Sequence, residues 1–389
     1  MIDYFHDAAD PYSHLTAQIL PRLAERYDIE IRANLVSPPP DWAAPDREKL
    51  ITYSRMDAAR LAEKAGLDFL GCYTQPAEGR LKVAEAALAR SLEEGRFIED
   101  AAAVGRWLWT GQGAIPEAGG DVAGARENGD ALREEKGHYL GATFFLDGEW
   151  FWGVDRLHHL EKRLTDAGLK KSSAPDGFIF APPPLLESVD KPDSAAPELH
   201  YYLSFRSPYT YIAAERAKAL ADAYGADLKL RFVLPMVMRG MQVPRMKGLY
   251  IIKDTAREAH RLGIPFGNVA DPVGKPVERG YSLLPWAIGE GKGFDFALSF
   301  LRGVWSEGID AGSDSGLKTI TERAGLDWSV ARPMIGNEDW KAEAEANRAE
   351  MMALGLWGVP SFRVGDVSTW GQDRLWLIED ALKRGGQTG

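Results

Sequence analysis

The chain repeats itself, and the repeat limits what it can fold into more than any other feature. With residues 2–38 set against 199–235 at a constant offset of 197, Tyr4 meets Tyr201, Pro11 meets Pro208, Tyr12 meets Tyr209 and Ala17 meets Ala214. Leu23, Ala24 and Tyr27 meet Leu220, Ala221 and Tyr224, while Val36 and Pro38 meet Val233 and Pro235. The match resumes near the end of each half at an offset of 218. There Phe144, Trp152-Gly153 and Asp155-Arg156-Leu157 fall on Phe362, Trp370-Gly371 and Asp373-Arg374-Leu375. The larger second offset makes the second copy longer in its middle. The 389 residues are therefore expected to hold one domain type twice in tandem, over 1–169 and 198–389, at about 165–190 residues each. Between the copies, 170–197 carries Pro175, Pro182-Pro183-Pro184, Pro192 and Pro197, which exclude helix and central strand and mark a linker. Its Phe178-Ile179-Phe180 and Leu185-Leu186 predict that it packs along a surface.

Each copy reads as the same order of elements. Leu199 to Phe205 is aromatic-rich and bounded by turn residues, which predicts a strand. Ser207-Pro208 supplies an N-cap and a first-turn proline, and Gly225 a stop, for a helix whose Ile212, Leu220 and Tyr224 share one face. Leu228 to Val233 alternates as a second strand. Helical patterns follow around 248–262, 281–307, 313–324 and 337–354. The copy closes with a strand at 361–364, a turn at Gly365-Asp366, a short strand to Trp370 and a helix from Asp373. A parallel pair joined by a crossover helix, then a helical insert, a hairpin and a final helix, is an α/β plan of thioredoxin-like type.

Composition removes several function classes. The 46 basic and 57 acidic residues, with a formal charge of −11, disfavour nucleic acid or an anionic membrane as the main partner, since both need a basic face. No run approaches the ~20 apolar residues of a membrane span, and the first residues lack the pattern of a secretory signal; a cytoplasmic protein is expected. One cysteine, Cys72, excludes an intramolecular disulfide, a CxxC redox pair and a cysteine-based zinc cage. No metal site is expected: His6, His14 and Asp10 read as a half-buried and a surface histidine beside a helix cap. No GxSxG elbow supports serine hydrolysis.

Phe205-Arg206-Ser207-Pro208-Tyr209-Thr210-Tyr211 resembles the Ser-Pro-Tyr-Ser-Tyr turn of kappa-class glutathione transferases and 2-hydroxychromene-2-carboxylate isomerases. Gly358-Val359-Pro360-Ser361-Phe362 and Trp370-Gly371-Gln372-Asp373-Arg374-Leu375 are similar to two further signatures of that family, in the same order. The resemblance covers 198–386 and, more weakly, the first copy. It implies two tandem thioredoxin-like (DsbA-like) domains, each with a helical insertion, and glutathione as cofactor. Ser207 then stands where a redox relative carries its first cysteine, as a hydroxyl that hydrogen-bonds a bound thiolate. The resemblance makes Val359-Pro360 the cis-proline whose neighbour pairs with the cysteinyl part of glutathione. It gives Gln372-Asp373 the γ-glutamyl end and Lys247 a glutathione carboxylate. Arg206 and Tyr209 are candidates for binding an aromatic or acidic small-molecule substrate. Because relatives form dimers, the copies are expected to pack as an intramolecular pseudo-dimer.

The first copy departs where chemistry matters. Asp10 replaces Ser207, Ala142 stands at the cis-proline position, Thr143 replaces Ser361 and Val154 replaces Gln372. Asp10 is a good helix cap, but its carboxylate would repel a thiolate. The leading expectation is a glutathione-dependent isomerase acting through reversible thiolate addition. A kappa-like transferase and a non-catalytic thioredoxin-fold binding protein remain open at this point. A disulfide oxidoreductase is excluded, since neither copy has the required cysteines.

Overall fold

The computed structural model describes residues 1–69, 74–187, 189 and 197–385; Cys72 and most of the proline-rich stretch after Glu187 lie outside the described residues. The chain divides into two compact units, Met1–Pro182 and Pro183–Gly389.

In the first unit, β1 (Ile2–His6), α1 (Pro11–Ala17), α2 (Leu20–Arg26) and β2 (Ile31–Leu35) precede an insert of α3 (Arg47–Ala65), α4 (Glu78–Glu93), α5 (Phe97–Thr110) and α6 (Val122–Glu135). The hairpin β3 (Thr143–Leu146) and β4 (Glu149–Trp152) and the helix α7 (Leu157–Asp166) complete it. The second unit runs β5 (Glu198–Leu203), α8 (Pro208–Tyr224) and β6 (Asp227–Phe232). Its insert holds α9 (Arg245–Leu262), α10 (Lys275–Gly289), α11 (Gly293–Ser306), α12 (Asp314–Arg323), α13 (Trp328–Ala331) and α14 (Trp340–Ala353). The hairpin β7 (Ser361–Val364) and β8 (Val367–Trp370) and the helix α15 (Leu375–Lys383) close it. The longer middle of the second half is thus extra helix.

Both sheets have four strands, ordered β2-β1-β3-β4 and β6-β5-β7-β8. In each the first two strands are parallel and the other pairings antiparallel. Tyr4 lies opposite Phe144, and Tyr201 opposite Phe362; the latter rings stack with centroids 5.1 Å apart. The central strands β1 and β5 are flanked on both sides, so their residues are almost wholly buried. Helices cover the sheets through two separate cores, one around Tyr4, Leu23, Phe144 and Phe151, the other around Tyr201, Phe205, Tyr281 and Phe362.

Two helices differ from the sequence pattern for local reasons. The crossover helix of the second unit is continuous over 17 residues, whereas that of the first unit breaks at Gln18-Ile19. Pro21 has no N–H to give, and its ring would clash with the carbonyl of Ala17; at offset 197 the second unit has Lys218. The single pattern over 281–307 is two helices, because Gly291 turns left-handed at φ +71° and Lys292 N–H closes onto Ala287 O at 2.8 Å. Gly289 and Gly293 flank that turn, as the last residue of α10 and the first of α11. The proline-rich stretch packs along the units as its apolar residues predict: Ile179 and Phe180 lie on the first core, Leu185 and Leu186 on the second. Among the described residues, no helix is long and apolar enough to cross a membrane.

Close packing in the second core rests on Gly280 in α10. A Cβ there would stand 2.5 Å from the Phe300 ring and 2.8 Å from that of Phe205, and those two rings stack at 4.0 Å. Alanine favours helix by about 1 kcal/mol over glycine, but forcing a methyl into a filled core costs about 1–3 kcal/mol. Gly280→Ala is therefore expected to lower stability in urea unfolding, against the trend of helix propensity.

Candidate functional site

The site of the second unit is built on the turn between β5 and α8. Ser207 is extended (φ −101°, ψ 112°) and caps α8, its Oγ accepting from Thr210 N–H at 3.1 Å. Pro208 then starts the helix without a wasted donor. The Ser207 hydroxyl donates to Val359 O at 3.3 Å, so the loop before β7 lies against this cap. Val359-Pro360 is the one cis peptide bond among the described residues. Pro360 O accepts from Gly371 N–H at 2.9 Å, joining the loop to the start of the last turn. No described residue accepts from the half-buried Val359 N–H. A long bond at Ser207 and an open N–H at Val359, beside the positive end of a 17-residue helix, suit an anion with an adjoining extended peptide.

The insert is tied to this turn by a side-chain bond that the short sequence match missed. Tyr209 Oη donates to Asp254 Oδ2 at 2.7 Å, and Arg257 Nη2 donates to Asp254 Oδ1 at 2.7 Å. Asp254 is buried. In the first unit Tyr12 Oη donates to Asp57 Oδ2, also at 2.7 Å. The offset of 197 in fact continues through Tyr53 and Tyr250, Asp57 and Asp254, Arg60 and Arg257, Gly66 and Gly263, which is the signal that could have found it. Tyr209, expected on the substrate, thus has its hydroxyl committed to the scaffold. Arg206 likewise faces Asp271, with Nε and Nη2 donating to the two carboxylate oxygens at 2.9 Å each, so a substrate acid would have to share it. Lys247, in the first turn of α9, is half-buried, and burial lowers its ammonium from the usual lysine range. No described carboxylate pairs with it, which leaves it suited to an external one.

Gln372 and Asp373 sit in a 3₁₀ turn, Gln372–Arg374, ahead of α15. The helix cap is therefore Arg374 and not Asp373. Gln372 is buried, and its amide is fully oriented: Oε1 accepts from Arg216 Nη1 at 2.6 Å, while Nε2 donates to Glu258 Oε2 at 3.1 Å and to Asp373 Oδ1. Gln372, expected at the ligand, has its amide engaged by these three partners, and Asp373 beside it is half-buried.

The first unit arranges the same place differently. Asp10 caps α1, its carboxylate accepting from Tyr12 and Ser13 N–H at 3.1 Å each and from Ser13 Oγ at 3.0 Å. Ala142 takes the cis-proline position with a left-handed φ of +53°. Thr143 Oγ1 donates to Leu140 O as Ser361 Oγ donates to Gly358 O. His6 and His14 are both buried, correcting the expectation of a half-buried and a surface histidine. Burial lowers them to about 3 and about 4 respectively, so both are neutral. Burial raises Asp10 to about 6, and burial together with the Asp10 charge raises Asp7 to about 7.

Residues 198–383 match the DsbA-like thioredoxin domain family. A 2-hydroxychromene-2-carboxylate isomerase of Pseudomonas putida is 24% identical over 192 residues, 47% of this chain and 93% of that protein. A solved 2-hydroxychromene-2-carboxylate isomerase is 25% identical with a TM-score of 0.41, over 48% of this chain and 94% of the other. The cytosolic disulfide reductase DsbM of Pseudomonas aeruginosa, solved with GSH, is 21% identical with a TM-score of 0.38, over 49% of this chain and 98% of the other.

Asp7 gives the first unit a pH signature. Its folded pKa of about 7 lies above the ordinary aspartate value of 3.8, so between those values the folded state holds a proton that the unfolded state has released. Stability therefore falls as pH rises from about 4 to about 7. Asp7→Asn cannot ionise and is expected to gain on the parent across that window, by on the order of a few kcal/mol at pH 8 relative to pH 4. Urea unfolding at the two pH values checks the sign.

Proposed function

Residues 198–383 form a DsbA-like thioredoxin domain homologous to 2-hydroxychromene-2-carboxylate isomerases, and from that premise we propose that the chain is a glutathione-dependent isomerase of a conjugated, aromatic-derived substrate. The thiolate of bound glutathione supplies reversible addition to a conjugated double bond; its elimination after rotation restores bond and thiolate, so no further reactant is consumed. The observation that carries the reading is Ser207. Its hydroxyl, now on Val359 O at 3.3 Å, can turn to donate to a sulfur anion, and the positive end of α8 adds to that stabilisation.

The surrounding residues divide the rest of the peptide among them. Val359 N–H takes the cysteinyl carbonyl, beside Pro360. Lys247 takes a carboxylate without losing an existing ion pair, and Asp373 takes the γ-glutamyl ammonium. A kappa-like transferase would use the same residues and stop before elimination. The common strand order, the matching registers and the hydrogen bonds repeated at offsets 197 and 218 support a tandem duplication. For the first unit we favour a fold without thiolate chemistry. Asp10 places negative charge at the cap, and α1 ends after 7 residues.

The test compares Ser207→Ala and Asp10→Ala in the full chain. A hydrogen bond to an anion is worth about 1.5–3 kcal/mol. Ser207→Ala should therefore raise the pKa of the bound thiol and slow turnover of a chromene-type substrate roughly ten- to a hundredfold. Loss of the cap should cost about 1 kcal/mol of stability alongside. Asp10→Ala should leave turnover near the parent. Unchanged turnover in Ser207→Ala would end the thiolate reading, and a larger loss in Asp10→Ala would move the site to the first unit.

A further inference from the structure

We propose that Asp271 is a built-in competitor for the substrate at Arg206: a carboxylate-bearing substrate displaces Asp271 and takes the guanidinium one residue before the Ser207 cap. The inference rests on the isomerase reading above and deepens it, since it assigns the group that selects an acidic substrate. The geometry of the turn before α8 carries it.

The backbone of Arg206 is fixed on both sides. Phe205 is buried, its ring against Tyr281 and stacked on Phe300 with centroids 4.0 Å apart. Its N–H donates to Tyr281 Oη at 3.3 Å, and its carbonyl accepts from Trp305 Nε1 at 3.1 Å. On the other side Ser207 N–H donates to Ser204 O at 3.0 Å, and Ser207 Oγ caps α8. The side chain of Arg206 is therefore the part left to move. Adjacent Cα atoms are about 3.8 Å apart, so its guanidinium remains within reach of a molecule held at the cap. The first unit, which has Asp10 in place of the serine, has Ala9 at this position.

Asp271 is held beside Arg206 by bonds that do not involve the pair. The loop between α9 and α10 hangs on the end of α11: Gly267 N–H donates to Trp305 O at 3.1 Å and Ala270 N–H to Val304 O at 2.8 Å, while Asn268 Nδ2 donates to Glu307 O at 3.0 Å. The Asp271 carboxylate also accepts from Val273 N–H at 3.2 Å, within its own loop. Arg206 Nε and Nη2 meet its two oxygens at 2.9 Å each, the forked geometry that a substrate carboxylate would take. The two side chains are 26% and 48% exposed. A pair open to water to that extent adds little to stability, and the loop keeps its other anchors without it. A substrate carboxylate, shielded from water by its own ring, makes the stronger pair of the two. The exchange therefore favours an acid, by a margin that Asp271 reduces, and an uncharged substrate offers the guanidinium no such exchange.

The experiment measures kcat/KM of the full chain, Arg206→Leu and Asp271→Asn with 2-hydroxychromene-2-carboxylate and with its methyl ester, which keeps the conjugated ring and loses the charge. Glutathione affinity is read in parallel by calorimetry. The parent should prefer the acid. Arg206→Leu should lose roughly tenfold or more of that preference, whereas Asp271→Asn should raise it by about two- to fivefold. Opposite signs are the mark of competition; a pair that merely ties the loop to the turn would shift both variants the same way. If Arg206→Leu does not fold, the sign of the Asp271→Asn change decides. A parent that turns over acid and ester equally, or two variants that both lose preference, overturns the assignment while the isomerase reading stands. A loss of glutathione affinity in Arg206→Leu with the acid preference kept would give the arginine to a glutathione carboxylate and overturn it as well. A parent that turns over neither compound removes the isomerase reading and this inference with it.

Discussion

A partly buried hydrogen bond between the second residue of a helix and a carboxylate two turns into the next one sets the geometry on which the site depends. Tyr209 lies two residues after the Ser207 cap, and Asp254 accepts its hydroxyl at 2.7 Å. Lys247 is seven residues before Asp254 on α9, and Glu258 is four after it, so all three fall on one helix face. Through this face α9 meets the α8 turn at Asp254 and the turn before α15 at Glu258. The insert is thus the platform that brings Lys247 to the same side as Ser207 and Asp373.

The two units separate the features that both carry from those that only one carries. Strand order, register, the Tyr–Asp bond and the closure of the hairpin onto residue 142 or 360 occur in both. The serine cap, the cis-proline and the Arg–Gln–Glu network occur in the second alone among the described residues. Pro21 adds to the contrast, because it cuts the helix behind Asp10 to 7 residues. A short helix capped by a carboxylate does not present the positive end that favours a thiolate.

Much of this was legible in the sequence, for physical reasons that differ by element. The strands β1 and β5 and the caps Ser207 and Asp10 were visible because turn and cap residues bracket a dense aromatic run. The end of each crossover helix was less so: one proline two residues into the second segment breaks a helix that its counterpart continues. The true role of Gln372 was hidden. Its motif marks it as part of the site, but only its buried position between Arg216, Glu258 and Asp373 shows that its amide faces inward. The sequence does not show the partners of Arg206 and Tyr209, because Asp271 and Asp254 lie 65 and 45 residues away. Asp254 lies within the repeat, because the offset of 197 resumes past Pro38 at Tyr53 and Asp57.

The most direct test of the account is the stoichiometry of glutathione binding to the full chain, measured by calorimetric titration at neutral pH with the thiolate absorbance followed in parallel. One glutathione per chain, bound with a rise in thiolate absorbance that Ser207→Ala reduces, is the result the account predicts. Two per chain, or none, would contradict it.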